Sequence, residues 1–512
     1  MRKSLIISLL IGIIFIPGIR AQTSSLIVKT SVTEEVKNQF KNSGRIFLFV
    51  TSSRGREPRF NSWPNKSNKI FATNLENWDT NESFIFNSSV DLVKSIDISL
   101  NEMPNGKYRI QVLWDQDTKE SRINAPGNLY SEVISVDLSE NKILELPLTK
   151  IVDQTKLADH KFLKEVDFKS HMLSEWWDKE MRVKAAVLLP GGFFDNPDKK
   201  YPVRYNIAGY GGRYTRANRY VERDTTFLNW WFSDEAPQII NVFLDGEGPF
   251  GDSYQLDSEN NGPFGTALTQ ELIPHIEKKY RGLGTPESRF VDGCSTGGWV
   301  SLALQLFYPD FFNGCFSYSP DPVDFEHCQL INIYNDKNAY YNEHGYLRPI
   351  VRDVYGEPVV SQKDFIQFEN VLGSSNTYLN SGGQFSAFTA LFSPKGENGL
   401  PKPMFDPFTG EIDREVAELW RKYDLKNYIK NNWEKLGPKL KGKIWIWTGD
   451  MDSYYLNPAV RTFDKMIKNL DNPKSDASIN FSPMKGHCAE YDNKKVILQI
   501  ANKKIPLCLD AK

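Results

Sequence analysis

The sequence predicts an α/β fold built on a mostly parallel sheet, with a smaller antiparallel β-sandwich in front of it. Three observations carry that prediction. From about residue 165 onward, short apolar strands alternate with amphipathic helices, and such strands imply a parallel sheet covered on both faces. Residues 23 to about 155 show short alternating runs bounded by turn residues and little helical periodicity. The 512-residue chain is 40% hydrophobic and 25% charged, enough apolar material for a large core and far from disordered or fibrous compositions.

The first element is an address. Arg2 and Lys3 precede an apolar run over residues 5–16, broken only by Ser8 and Gly12 and ended by Pro17-Gly18. With Ala21 as the small residue at the cut, residues 1–21 read as a secretory signal peptide, and Gln22 as the mature start. A membrane anchor is the competing reading, but the run is shorter than the roughly 20 residues a span requires. No cysteine follows it to carry a lipid. Removal would take away Arg2, Lys3 and Arg20 and no acid, so the formal net charge moves from −2 to −5. The mature chain is expected to be secreted or periplasmic, with no stable membrane anchor, in a compartment where disulfides persist. Near-neutral charge offers no footprint for a phosphate backbone, so no nucleic-acid partner is expected.

Residues 22–155 form the expected β-rich accessory domain. Its strands are read at 45–50 (RIFLFV), 83–86, 107–114 (KYRIQVLW) and 132–138, with Asn105-Gly106 and Pro126-Gly127 as turns. The polar stretch 54–69 leaves open a looser, partly disordered extension. No internal repeat supports a β-propeller.

Residues 156–512 carry the α/β pattern. Strands are read at 182–190, 202–209, 238–244, 289–292, 315–318, 443–448 and 478–481. Leu268, Leu272, Ile276 and Tyr280 mark one helix at i, i+4 spacing; others are read at 299–307, 459–470 and 495–505. A long insertion separates residues 319 and 443, and a cap is expected over about 325–440. Its aromatics, Phe365, Phe368, Tyr378, Phe385, Phe388, Phe405, Trp420 and Tyr423, either stack on a substrate or form the cap's own core.

The chemistry concentrates at Gly293-Cys294-Ser295-Thr296-Gly297, a G-x-S-x-G pattern between a strand and a helix. A sharp turn there exposes the serine Oγ at a helix N-terminus, where backbone N–H groups favour developing negative charge. Small neighbours are needed because strand and helix pack closely around the turn. An ordinary Gly-Ser turn is the bland alternative. Of the six histidines, His160 and His171 are read as preceding the sheet, His275 lies in a helix, and His327 and His344 fall in the insertion. His487, in the loop before the last helix, is the candidate base. The orienting acid should lie between serine and histidine. Asp452 is preferred because it sits further into the loop after KIWIWT, with Asp450 as the alternative. Thr296 and the Tyr210-Gly211 segment are the candidate oxyanion donors, although Tyr210-Gly211-Gly212 could equally be a plain glycine-rich turn. No histidine or cysteine lies near Asp450 and Asp452, so neither metal nor organic cofactor is expected.

These residues resemble the Putative esterase (esterase D-like) family of α/β-hydrolases. The likeness rests on YPVRYNIAGYGG, VFLDGEGPFGDSYQLDSENNGPFGTALTQELIPHIEKKYR, GCSTGG, YPDFFNGCFSYSP, and WTGDMD ahead of GHC, and covers roughly residues 165–505. It implies an α/β-hydrolase fold and serine-dependent hydrolysis of carboxylic esters, with feruloyl and acetyl carbohydrate esterases, siderophore esterases and some acyltransferases as relatives. The expected substrate is a small-molecule or carbohydrate ester. The arrangement Cys294-Ser295, Asp452, His487-Cys488 is similar to that of tannases and fungal feruloyl esterases, which implies a Cys294–Cys488 disulfide tying nucleophile to base; two buried thiols are the alternative. Cys315 with Cys328 is a second, weaker pairing, and Cys508 is left over. Two other functions stay open at this point: a glycan-binding protein with a degenerate hydrolase domain, and an acyltransferase of the same fold.

Overall fold

An eight-stranded sheet organises the chain from residue 163 onward. The structure, a computed structural model, describes residues 22–509 apart from 66, 118 and 119, and side chains up to residue 502; the expected signal peptide lies outside the described residues. The strands are β1 (Leu163–Ser170), β2 (Met181–Leu188), β3 (Val203–Ile207), β4 (Ile240–Leu244), β5 (Arg289–Cys294), β6 (Cys315–Tyr318), β7 (Ile444–Gly449) and β8 (Ser478–Ser482). Their spatial order is β1-β2-β4-β3-β5-β6-β7-β8. β2 is antiparallel to both neighbours and β4 to β8 run parallel, the arrangement of an α/β-hydrolase. Strand order reverses at β3, which is parallel to β4 on one side and to β5 on the other. The crevice at the carboxyl ends of such neighbouring strands is where open α/β sheets bind ligands.

Burial explains the strand composition. β3, β4, β5 and β6 are buried at every position because helices cover both faces. Leu268, Leu272, Ile276, Trp299, Leu302 and Leu306 pack on one side, and Phe227, Trp231, Val496, Ile497 and Ile500 on the other. The sequence reading begins this sheet at residue 182. The structure adds β1 at the edge, where only Leu163, Val166 and Ser170 of LKEVDFKS are buried; half-covered edge strands carry little apolar signal. His171 therefore follows the first strand and does not precede the sheet. The amphipathic segment at 264–280 is interrupted by a π-helical turn, Leu268–Leu272.

Among the described residues the N-terminal region forms two main sheets and a two-stranded pair, Thr23–Ser24 with Met103–Pro104. A seven-stranded sheet contains Gly44–Thr51, Asn68–Leu75 and Gly106–Asp115, and a three-stranded sheet contains Leu26–Thr30, Phe84–Phe86 and Lys142–Glu145. They close on one core that includes Val28, Leu48, Phe71, Phe86, Val112 and Trp114. The larger sheet's other face, Phe47, Phe49, Ile70 and Leu113, packs on Phe368 and Val371 of helix Gln362–Leu372. That double burial is why RIFLFV shows no alternation. Arg45 Nε and Nη2 donate to Val371 O at 3.1 and 3.0 Å, clamping this sheet to the insertion.

All eight insertion aromatics singled out above are buried; seven pack into the main core and Phe368 against the N-terminal sheet, so they present no stacking surface. Helix Leu425–Leu440, the last part of the expected cap, packs against helices Thr296–Phe307 and Asn457–Lys468 and so joins the layer covering the sheet. Cys315 and Cys328 are both buried and no disulfide joins them. Cys315 enters β6 at the end away from the crevice, whereas Cys328 lies beyond its exit.

Candidate active site

Strand β5 turns directly into helix Thr296–Phe307 at Ser295, whose φ of 62° and ψ of −127° are rarely adopted by an L-residue. The turn survives because Gly293 and Gly297, two residues to either side, lack side chains. A Cβ on Gly297 would sit 2.3 Å from Ile207 O, and one on Gly293 would sit 2.5 Å from the same oxygen. Ser295 N–H donates to Tyr318 O at 3.0 Å, and Trp299 N–H donates to Ser295 O at 3.0 Å. The serine is thus fixed from both sides, a strained conformation over-determined by its surroundings.

At the exit of β3, Gly212 N–H donates to Gly209 O at 3.0 Å to close the turn, and Gly211 takes φ 72°. Gly209 stands where a Cβ would lie 3.6 Å from Ser295 Cβ. Tyr210, Gly209 and Gly212 line one cavity with Ser295, while Gly211 borders a smaller pocket beside Ser121 and Gly382. The Tyr210 hydroxyl donates to Gly382 O, tying the turn to the insertion. Thr296 is the first helical residue, with its main-chain N–H at the helix N-terminus.

His487 arrives on the loop after β8. Its Nδ1 lies 2.8 Å from Asp452 Oδ2, and Asp452 is fully buried. The other carboxylate oxygen accepts the N–H of Tyr454 at 2.9 Å. From the insertion, Arg352 donates to Asp452 O at 2.9 Å and Asp450 O at 3.2 Å, holding the acid loop by its backbone. Asp450 points elsewhere: its carboxylate accepts from Arg461 Nη2 at 2.6 and 2.8 Å. One residue past the histidine, Cys488 is disulfide-bonded to Cys294, with Cα atoms 6.0 Å apart. Ser295 and His487 line the same cavity of about 620 Å³. Among the described residues no hydrogen bond joins their side chains; such bonds commonly close only with substrate in place.

Burial lowers the His487 pKa, but the charge and hydrogen bond of Asp452, with the charge of Asp321, outweigh it and raise the imidazole above its ordinary value. Asp321 was not singled out from sequence. It follows β6, the strand beside the elbow, and that position was the available signal. Burial lifts its pKa to about 6 against hydrogen bonds from Tyr254 and Thr296. Tyr254 Oη and Thr296 Oγ1 donate to its Oδ2 at 2.8 and 2.9 Å, and Gln384 Nε2 donates to Tyr254 Oη at 2.5 Å. Beneath the cavity, Arg204 and Asp292 form a fully buried bidentate pair, both bonds 2.6 Å. Tyr491, from the histidine loop, donates to the same carboxylate at 2.8 Å. A second cavity of about 690 Å³, lined by Arg213, Asp245 and Glu247, includes neither Ser295 nor His487. Among the described residues, no group of three His, Cys, Asp or Glu side chains is placed to hold a metal, and no helix is long and apolar enough to cross a membrane.

The model of the family described as Putative esterase matches residues 178–469, more than half of the chain. No curated protein matches the sequence. Among solved structures, a ferulic acid esterase is 17% identical with a TM-score of 0.40, covering 66% of this chain and 94% of its own. An S-formylglutathione hydrolase from Agrobacterium tumefaciens is 13% identical with a TM-score of 0.37, covering 68% and 96%. A ferulic acid esterase from Anaeromyces mucronatus, solved with ferulic acid, is 15% identical with a TM-score of 0.33, covering 68% and 92%. These likenesses are too distant to assign a substrate.

Proposed function

The chain belongs to the Putative esterase family and is an ester-hydrolysing enzyme; we propose that it is an exported serine esterase working through Ser295, His487 and Asp452. His487, oriented by Asp452, takes the proton from Ser295 Oγ as that oxygen attacks the ester carbonyl. The N–H groups of Thr296 and the Tyr210-Gly211 turn hold the oxyanion, where preorganised donors act most strongly. His487 then protonates the leaving alcohol. Water activated by the same imidazole releases the acid and regenerates the serine.

The observation that carries this reading is the 2.8 Å contact between His487 and a fully buried Asp452, on a loop disulfide-bonded to the residue before Ser295. The disulfide also supports export, since such bonds persist in oxidising compartments. Acylated carbohydrates or phenolic esters are the substrate class we propose. The test is a panel of acetyl, butyryl and feruloyl esters. Ser295→Ala should abolish turnover and fluorophosphonate labelling. Asp452→Asn should lower kcat/KM by about 10³-fold or more, the scale expected of a triad acid, while Asp450→Asn should stay within about threefold. Equal losses in the two aspartate variants would contradict the assignment.

A further inference from the structure

The catalytic cavity has one wall that does not come from the hydrolase fold. Trp63, in the polar loop between the N-terminal strands Gly44–Thr51 and Asn68–Leu75, lines it together with Ser295 and His487. Its indole is 40% exposed. It meets Phe365 of the insertion edge-to-face at 5.1 Å and Tyr454 at 6.1 Å between ring centroids. Tyr454 in turn stands edge-on to the His487 imidazole at 4.8 Å. An aromatic row therefore runs from the candidate base to the N-terminal domain.

The row is held in place. Asn68, almost fully buried, donates to Trp63 O at 3.3 Å and Asn61 O at 3.0 Å, and accepts from Thr51 Oγ1 at 2.6 Å. The sheet carrying this loop is clamped to helix Gln362–Leu372 through Arg45 and the contacts of Phe368 and Val371. Phe365, on the same helix, backs the indole. Trp63 thus presents an exposed ring on a buried mount, the form of a binding surface more than of a core residue.

Direction of reaction decides which part of a substrate meets it. The imidazole must deliver its proton to the leaving oxygen, so the alcohol portion of the ester passes His487 on its way out. Tyr454 and then Trp63 lie on that side. The remaining wall carries Gln329 and Asn493, whose amide oxygens accept no hydrogen bond within the protein and suit a ring bearing several hydroxyls, beside an aromatic face that its C–H groups can cover.

We infer that Trp63 of the N-terminal domain is a specificity-determining residue that binds a sugar ring in the alcohol half of the ester. This rests on the serine-esterase reading above. The experiment compares methyl and xylotriosyl esters of the same acid, with acetate and ferulate both used, in wild type, Trp63→Ala and Trp63→Phe. The quantity read is the ratio of kcat/KM for the xylotriosyl ester to that for the methyl ester. Trp63→Ala should lower this ratio at least about tenfold, mainly through KM, and Trp63→Phe should keep it within about threefold of wild type. A collapsed loop would lower both rates together and leave the ratio where it was, and that result overturns the inference. Wild type showing no preference for the xylotriosyl ester also overturns it. If wild type cleaves none of these esters, the esterase mechanism falls as well, which separates the two failures.

Discussion

Reducing the Cys294–Cys488 bond perturbs the protein without truncating a side chain, so its consequences can be worked out directly. The bond closes a loop with a sequence separation of 194. In the chain-entropy account, a loop of that length withdraws about 5 kcal/mol of disorder from the unfolded state as an upper estimate. A domain of roughly 340 residues unfolds with about 0.7 kcal/mol/K of entropy, so the reduced protein should melt about 7 °C lower. Function should fall too. His487 sits next to the bridge and Ser295 next to its other end, and a loss of about 1.4 kcal/mol in their alignment is a tenfold loss in rate. The assay is calorimetry and kcat/KM on one preparation, oxidised and reduced, with the thiol state checked by intact mass and alkylation. If the reduced protein melts within about 2 °C of the oxidised form and retains full kcat/KM, the bridge neither stabilises the fold nor aligns the base.

Two further predictions concern charge. His487 must be neutral to act as a base, and its pKa is raised above the ordinary 6.5. The acidic limb of kcat/KM should therefore lie above that value, with activity falling as pH drops through the raised pKa. The groups facing the imidazole are Asp452, Asp321 and Tyr454, so Asp452→Asn should move the limb downward, and a limb at or below 6.5 in wild type would contradict the charge arrangement. Arg204→Met leaves Asp292 buried without its cation, which should cost about 3–5 kcal/mol by urea denaturation; pairing it with Asp292→Leu should recover much of the loss, and a cost under about 1 kcal/mol would show the pair to be dispensable.

The sequence by itself determined the architecture and where its chemistry could gather. Periodicity places a parallel sheet after an all-β region, because burial on both faces demands continuous apolar strands. The glycines around Ser295 mark a turn too tight for larger residues, and the loops after β3, β5, β7 and β8 converge once the strands are parallel. What it left open depended on neighbours far along the chain. Asp450 and Asp452 look alike in GDMD, and only folding turns one towards His487 and the other towards Arg461. The insertion aromatics could have faced a substrate until their packing buried them. Trp63 carried no signal, since its loop reads as polar filler. Its role depends on a sheet being pinned to helix Gln362–Leu372, and side-chain contacts of that kind are set by three-dimensional packing, which local residue patterns do not encode.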